Sequence, residues 1–162
     1  MNQPTTPSPQ RDPLETIDGQ AGGSDRRRAI VAGFGPVGRM TAEQLERAGL
    51  QVTIVETNLA TIERQLHLDR RVLFGDVTDP DILRRAGIDG ADALILTIPN
   101  EAAAVAACEV ARRLNPAIFI AARTSFLSQG LLATQAGADH VVVEEVVTAE
   151  AMQRAVVDRL LK

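Results

Sequence analysis

The chain contains no Tyr, no Trp, one Cys (Cys108) and one Lys, the terminal Lys162. Each scarcity removes a class of function. A lone Cys cannot close an internal disulfide, which fits a reducing, cytoplasmic location. Beside it stand only His67 and His140, both expected at solvated element ends, so no metal-ligand spacing exists and no metal is expected. Without Tyr or an internal Lys, a dehydrogenase built on a Tyr–Lys pair is excluded. No apolar run approaches the roughly 18 to 20 residues that cross a bilayer, so direct membrane insertion is not expected. Residues Met1 to Gln10 are polar and Pro-rich and do not read as a signal peptide. The formal net charge is −4, with no basic stripe of the kind nucleic-acid binders carry.

What is present is a chain of 162 residues, the length of one domain with a sizeable core. Its most informative stretch is Gly33-Phe34-Gly35-Pro36-Val37-Gly38, directly after the apolar run Ala29-Ile30-Val31-Ala32. Eighteen residues past Gly38, a second apolar run ends in Glu56. A strand, a Gly-rich turn, a helix and a strand closed by an acid describe a site for an adenine dinucleotide or nucleotide. Gly33 permits the tight turn, Gly35 lets backbone approach phosphate, and Gly38 lets the helix lie close to the sheet. The helix start offers unpaired N–H groups and partial positive charge to a phosphate. Pro36 removes one donor there but suits the first helical position. Glu56 can accept from a ribose 2′-hydroxyl. Thr57 and Asn58 follow it instead of an Arg, which favours NAD over NADP.

Along the chain, residues 1–25 hold four Pro and three Gly among polar groups and are expected to be a disordered tail. Arg26-Arg27-Arg28 reads as a solvated charge run. From there apolar runs alternate with helical patterns, the signature of a parallel sheet covered on both faces. Strands are expected at 29–32, 52–55, 71–74, 93–98, 118–122 and 141–143. Helices are expected at 36–48 (Val37, Leu45 and Ala48 inward), 59–68 (Leu59, Ile62 and Leu66 inward), 80–86, 100–114, 125–136 and 149–161. The fold class is therefore α/β: a single doubly wound, Rossmann-like sheet of about six strands. The nucleotide-binding domain spans 26–148, and the segment 149–162 forms a C-terminal helix. Met152, Val156 and Leu160 make one apolar row on that helix, with Val157 and Leu161 a second, wider than a surface helix needs.

Ligands of such sheets lie beyond the carboxyl ends of the strands. Those ends hold the Gly33–Gly38 turn, Glu56 and Thr57, Asp76 and Val77, Thr97 and Asn100, Arg123, and Glu144-Glu145. Asp76 suits an adenine edge or a helix cap. Thr97 and Asn100 suit a far ribose or terminal phosphate, Asn100 equally a helix cap. Arg123 suits a phosphate, or else a Glu144 or Glu145 partner. No His, Lys, Cys or Tyr joins them to move a proton or attack a carbonyl, so the site is expected to bind and not to catalyse.

With those residues, the chain resembles the N-terminal domain of RCK (regulator of K⁺ conductance) proteins, also called KTN or TrkA-N. The resemblance covers about 28–152. It rests on Gly33-Phe34-Gly35-Pro36-Val37-Gly38-Arg39, Val55-Glu56, Phe74-Gly75-Asp76-Val77-Thr78-Asp79, Gly87-Ile88, Ala91-Asp92-Ala93, Ile120-Ala121-Ala122-Arg123 and Gly137-Ala138-Asp139-His140-Val141-Val142. It implies a regulatory module that binds NAD or NADH first, with ATP, ADP or AMP as alternatives. Gly33, Gly35 and Gly38 then surround the phosphates, Glu56 takes the adenosine ribose, Asp76 the adenine side, and Arg123 the phosphate or a dimer cleft. It also implies a homodimer whose last helix packs on a neighbour. The target is a potassium channel, uptake system or cation/proton antiporter. With neither a following RCK C-domain nor preceding membrane segments in the sequence, a separate cytoplasmic subunit, peripheral to the membrane through its transporter, is expected. The alternative is a single-domain NAD-dependent oxidoreductase on a small substrate, against which the missing Tyr and internal Lys count.

Overall fold

A computed structural model describes residues 26–161; the expected tail at 1–25 lies outside the described residues. In chain order the elements are β1 (Arg28–Ala32), α1 (Pro36–Arg47), β2 (Gln51–Glu56), α2 (Leu59–Leu66), β3 (Arg71–Phe74), α3 (Pro80–Arg85), a 3₁₀ turn (Ile88–Gly90), β4 (Ala93–Leu96), α4 (Glu101–Leu114), β5 (Phe119–Thr124), α5 (Leu127–Gln135), β6 (His140–Val143) and α6 (Glu144–Leu160). One sheet joins all six strands in the order β3-β2-β1-β4-β5-β6, and every pairing is parallel. This is the doubly wound α/β arrangement the alternating sequence predicts. The strand order reverses between β1 and β4, and the crevice outside their carboxyl ends is where such sheets bind ligands.

The strands alternate between two apolar layers. Ile30, Ala32, Val55, Leu94 and Leu96 enter the larger core with Leu83 of α3 and Ala107, Cys108 and Ala111 of α4. Val31 and Ile54 enter the smaller layer with Phe34 and with Ala42 of α1. Burial on both faces explains why these strands read as near-continuous apolar runs.

Helix faces depart from the sequence expectation at three places. The buried residues of α1 are Gly38 and Ala42, whereas Val37 is exposed, because the two small residues let the helix axis approach the sheet. In α2, Ile62 and Gln65 are buried while Leu59 and Leu66 are exposed. Gln65 is tolerated because its Oε1 accepts from Arg70 Nη1 at 2.7 Å, and the same guanidinium donates to Glu46 Oε2 at 2.8 Å. Third, the last helix begins at Glu144, directly after β6, and not near Ala149. Glu144 and Glu145 form its first turn, where carboxylates complement the helix dipole. β4 also stops at Leu96, which leaves Thr97 and Ile98 in the connection over the switch point.

Away from that crevice, Arg112 of α4 clasps the amino ends of β5 and β6. Its guanidinium donates to the carbonyls of Pro116, Ile118 and Gly137 and to the Asp139 carboxylate, which also accepts the Ile120 N–H. Desolvation pushes the Asp139 carboxyl up. The Ile120 N–H and the Arg112 hydrogen bond and charge together outweigh it and hold the carboxyl below its ordinary value. Burial of Cys108 pushes its thiol up to about 11, so it packs as a neutral apolar group.

Candidate functional site

The Gly-rich turn is held from three directions. The Gly33 N–H donates to Val55 O of β2 at 2.9 Å. The Phe34 N–H donates to Glu56 Oε2 at 2.8 Å, and the Phe34 ring turns back into the small core, with the Arg70 guanidinium 5.5 Å from its centroid. Thr97 Oγ1 lies 2.9 Å from Gly33 O. Arg39 N–H pairs with Gly35 O, so α1 opens with Gly35 as its cap and Pro36 as its first residue. The amides of Val37 and Gly38 lie in that first turn, where a helix has no internal acceptor for them.

The three glycines of the motif have three different reasons. Gly33 has φ +86°, a left-handed conformation that side chains avoid. A Cβ on Gly38 would stand 2.0 Å from Gly33 O and 2.6 Å from Thr97 Oγ1. Gly35 needs neither accommodation: its φ is −70° with ψ −171°, and an added Cβ would meet nothing within 4 Å. Among the described glycines it alone shows neither a positive φ nor a crowded Cβ direction.

Glu56, at the carboxyl end of β2, is already a hub of amide hydrogen bonds. Oε1 accepts from the N–H groups of Thr57 at 2.7 Å and Asn58 at 2.9 Å, and Oε2 from Phe34. Each carboxylate oxygen has two lone pairs, so Oε2 retains room for a hydroxyl. Thr57 itself is exposed beside it.

The remaining sequence candidates divide. Asp76 is exposed after β3; its Oδ1 accepts from the Thr78 N–H and hydroxyl at 2.8 Å. Val77 faces the core and not the crevice. Thr97 is buried beside the turn. Asn100 caps α4 by accepting the Ala103 N–H at 3.0 Å. Arg123, at the end of β5, donates to Glu144 Oε1 at 2.5 Å and approaches Ile98 O at 3.5 Å, while its Nε is buried without a partner. The strand ends thus bring Gly33–Gly38, Glu56 and Thr97 into one group around the turn. Arg123 is linked instead to the root of α6. Sequence reasoning missed Phe34 as a buried anchor and Arg70 beneath it; the aromatic inside the Gly-rich motif was the available signal.

A parallel Rossmann-like sheet with this turn at its switch point defines the class, a nucleotide-fold domain. The TrkA-N domain family matches residues 29–144, and the chain belongs to it. Potassium channel protein 1 of Methanocaldococcus jannaschii is 31% identical over 120 residues, 73% of this chain and 36% of that one. YbaL of Escherichia coli, named as a candidate cation/proton antiporter, is 31% identical over 117 residues, 72% of this chain and 21% of its own length. The chain therefore spans only a minor part of either relative. The crystal structure of the YbaL TrkA-N domain superposes with a TM-score of 0.78 at 28% identity, covering 82% of this chain and 98% of that domain. The GsuK channel bound to NAD and GsuK bound to ADP each superpose with a TM-score of 0.63 at 24% identity, a likeness of fold. They cover 75% and 74% of this chain, and 22% and 32% of theirs. Among the described residues no helix is long and apolar enough to cross a membrane, and no cluster of His, Cys, Asp and Glu could hold a metal ion.

Proposed function

We propose that the chain is a regulatory nucleotide-binding domain. In it an adenine nucleotide, NAD or NADH first and ATP, ADP or AMP as alternatives, lies across Gly33–Gly38 and Glu56. Its binding adjusts a potassium channel, uptake system or cation/proton antiporter from the cytoplasmic side of the membrane. The observation that carries the binding reading is Gly35: neither its φ nor a neighbouring atom requires a glycine there, and its missing side chain leaves open space at the cap of α1. A phosphate in that space meets the free amides of Val37 and Gly38 and the positive end of the helix. Glu56 is fixed by three backbone amides and presents its remaining lone pairs to a ribose. The NAD- and ADP-bound channel of the same fold supports the ligand class, and the channel and antiporter relatives support the transport role.

The route from ligand to target runs through Arg123 and α6. Glu144, paired with Arg123, is the first residue of α6, and none of the 17 residues of that helix is buried. Val146, Val147, Met152, Val156, Val157 and Leu160 are exposed along it. Helices in proteins draw most of their stability from packing an apolar face, so a second copy of the chain packs against this one in a homodimer. A ligand shifts the dimer only by its differential affinity for two arrangements.

The test is thermal unfolding of the purified chain against NAD⁺, NADH, NADPH, ATP, ADP and AMP. A true ligand at 100-fold excess over Kd adds about 2.7 kcal/mol, or roughly 5 to 11 °C. Shifts from ADP or AMP support a sensor. Turnover of NADH with a carbonyl substrate would replace it with an oxidoreductase, and no shift with any nucleotide would end the binding reading.

A further inference from the structure

We infer that Thr97 is a positioning residue for the phosphate-facing turn and not a ligand contact: its hydroxyl holds the Gly33 carbonyl and, through it, the first turn of α1. This rests on the nucleotide reading of the same site.

Thr97 follows β4, directly across the switch point from β1. Its N–H donates to Ala32 O at 2.9 Å, and its Oγ1 lies 2.9 Å from Gly33 O and 3.1 Å from Ala32 O. A hydroxyl carries one proton. Ala32 O already receives the Thr97 amide, and Gly33 O is the nearer acceptor, so the proton goes to Gly33 O. The same hydroxyl would be 2.6 Å from a Cβ on Gly38, and Gly33 O only 2.0 Å. The first glycine, the third glycine and the Thr97 hydroxyl are therefore stacked in direct contact. Displacing Gly33 O displaces Gly38, and with it the amides of Val37 and Gly38 that a phosphate would use. Thr97 is only 9% exposed, so it could serve a ligand only by releasing the turn.

The chemistry at this position discriminates finely. Valine has the shape of threonine, but its methyl would stand where the hydroxyl lies 2.9 Å from a carbonyl oxygen, inside the ~3.3 Å at which carbon and oxygen normally meet. Alanine leaves the carbonyl unheld without a clash. Serine keeps the hydroxyl.

The experiment titrates the full chain and its Thr97→Val, Thr97→Ala and Thr97→Ser variants with ADP and, separately, with adenosine, by NMR. If Thr97 positions the turn, Val and Ala weaken ADP about three- to tenfold, the worth of one hydrogen bond. Adenosine, which meets the same peptide only through the Phe34 N–H and Glu56, loses clearly less than ADP, and Ser restores ADP. A variant that merely damaged the domain would weaken both ligands alike. Should Val fail to fold, Ala carries the comparison alone. Unchanged ADP affinity, equal loss for adenosine, or failure of Ser to restore ADP would overturn the positioning role while leaving the nucleotide site standing. Absence of ADP binding to the unsubstituted chain would overturn the nucleotide reading and the positioning role together.

Discussion

Replacing Gly35 and Gly38 one at a time separates ligand binding from folding, because the two glycines answer to different constraints. A Cβ on Gly38 would lie 2.0 Å from Gly33 O, which is more than 1 Å inside ordinary contact. Gly38→Ala therefore pushes α1 off the sheet. Overpacking of that kind costs about 1 to 3 kcal/mol, which lowers the melting midpoint by roughly 2 to 12 °C. Gly35→Val behaves oppositely. Its backbone is extended (φ −70°, ψ −171°) and its added Cβ meets nothing within 4 Å. Stability should stay within about 1 kcal/mol, the scale of an N-cap change. The branched side chain should, however, obstruct the proposed approach of a phosphate to the Val37 and Gly38 amides. Loss of one charge-assisted bond there is about 1.5 to 3 kcal/mol, or roughly 10- to 150-fold in Kd. Calorimetric titration with ADP and NAD, beside circular-dichroism melts, reads both quantities. A Gly35→Val chain that binds with wild-type affinity refutes the phosphate-turn reasoning. A Gly38→Ala chain that melts unchanged refutes the packing argument.

Glu56→Gln leaves one carbonyl oxygen where two carboxylate oxygens accept from Phe34, Thr57 and Asn58, so an NH₂ must face a donor. We expect about 1 to 2 kcal/mol lower stability and weaker binding of every ribose ligand, read by melting and titration; unchanged values in both would remove Glu56 from the site. The Asp139 carboxyl is held below its ordinary value in the folded chain. Its contribution is then present above the unfolded carboxyl value and lost as pH falls through the lower folded one. Urea unfolding should show Asp139→Asn destabilised at pH 7 and the gap to wild type narrowing in acid; a constant gap contradicts the Arg112 clasp. Val156→Glu on the exposed face of α6 should convert a dimer to a monomer in sedimentation velocity. A wild-type chain that is monomeric at all concentrations would send α6 to a different partner.

The sheet was legible because burial on both faces writes itself into a parallel strand as an unbroken apolar run, as in Ala29-Ile30-Val31-Ala32. The helix faces were less so. Apolar periodicity nominated Leu59, Ile62 and Leu66, yet Gln65 joins Ile62 inside in place of the two leucines, because Arg70 from the next connection satisfies its amide. Arg70 is only five residues on, but it lies past the end of α2, so the helical period does not point to it. The sequence places the start of the last helix near Ala149, but Glu144 and Glu145 start α6 through their fit to its dipole and through Arg123 and the Leu127 N–H. At the site the motif revealed which residues gather and not how they divide the labour. Glycine at 33, 35 and 38 looks alike in sequence, while only coordinates separate a strained φ, a crowded Cβ direction and an open one. That separation is what gives the nucleotide reading its weight. Gly33 and Gly38 are required by the fold of this chain, whereas Gly35, the cap of α1, meets no steric demand for glycine, and it is there that the proposed phosphate would sit.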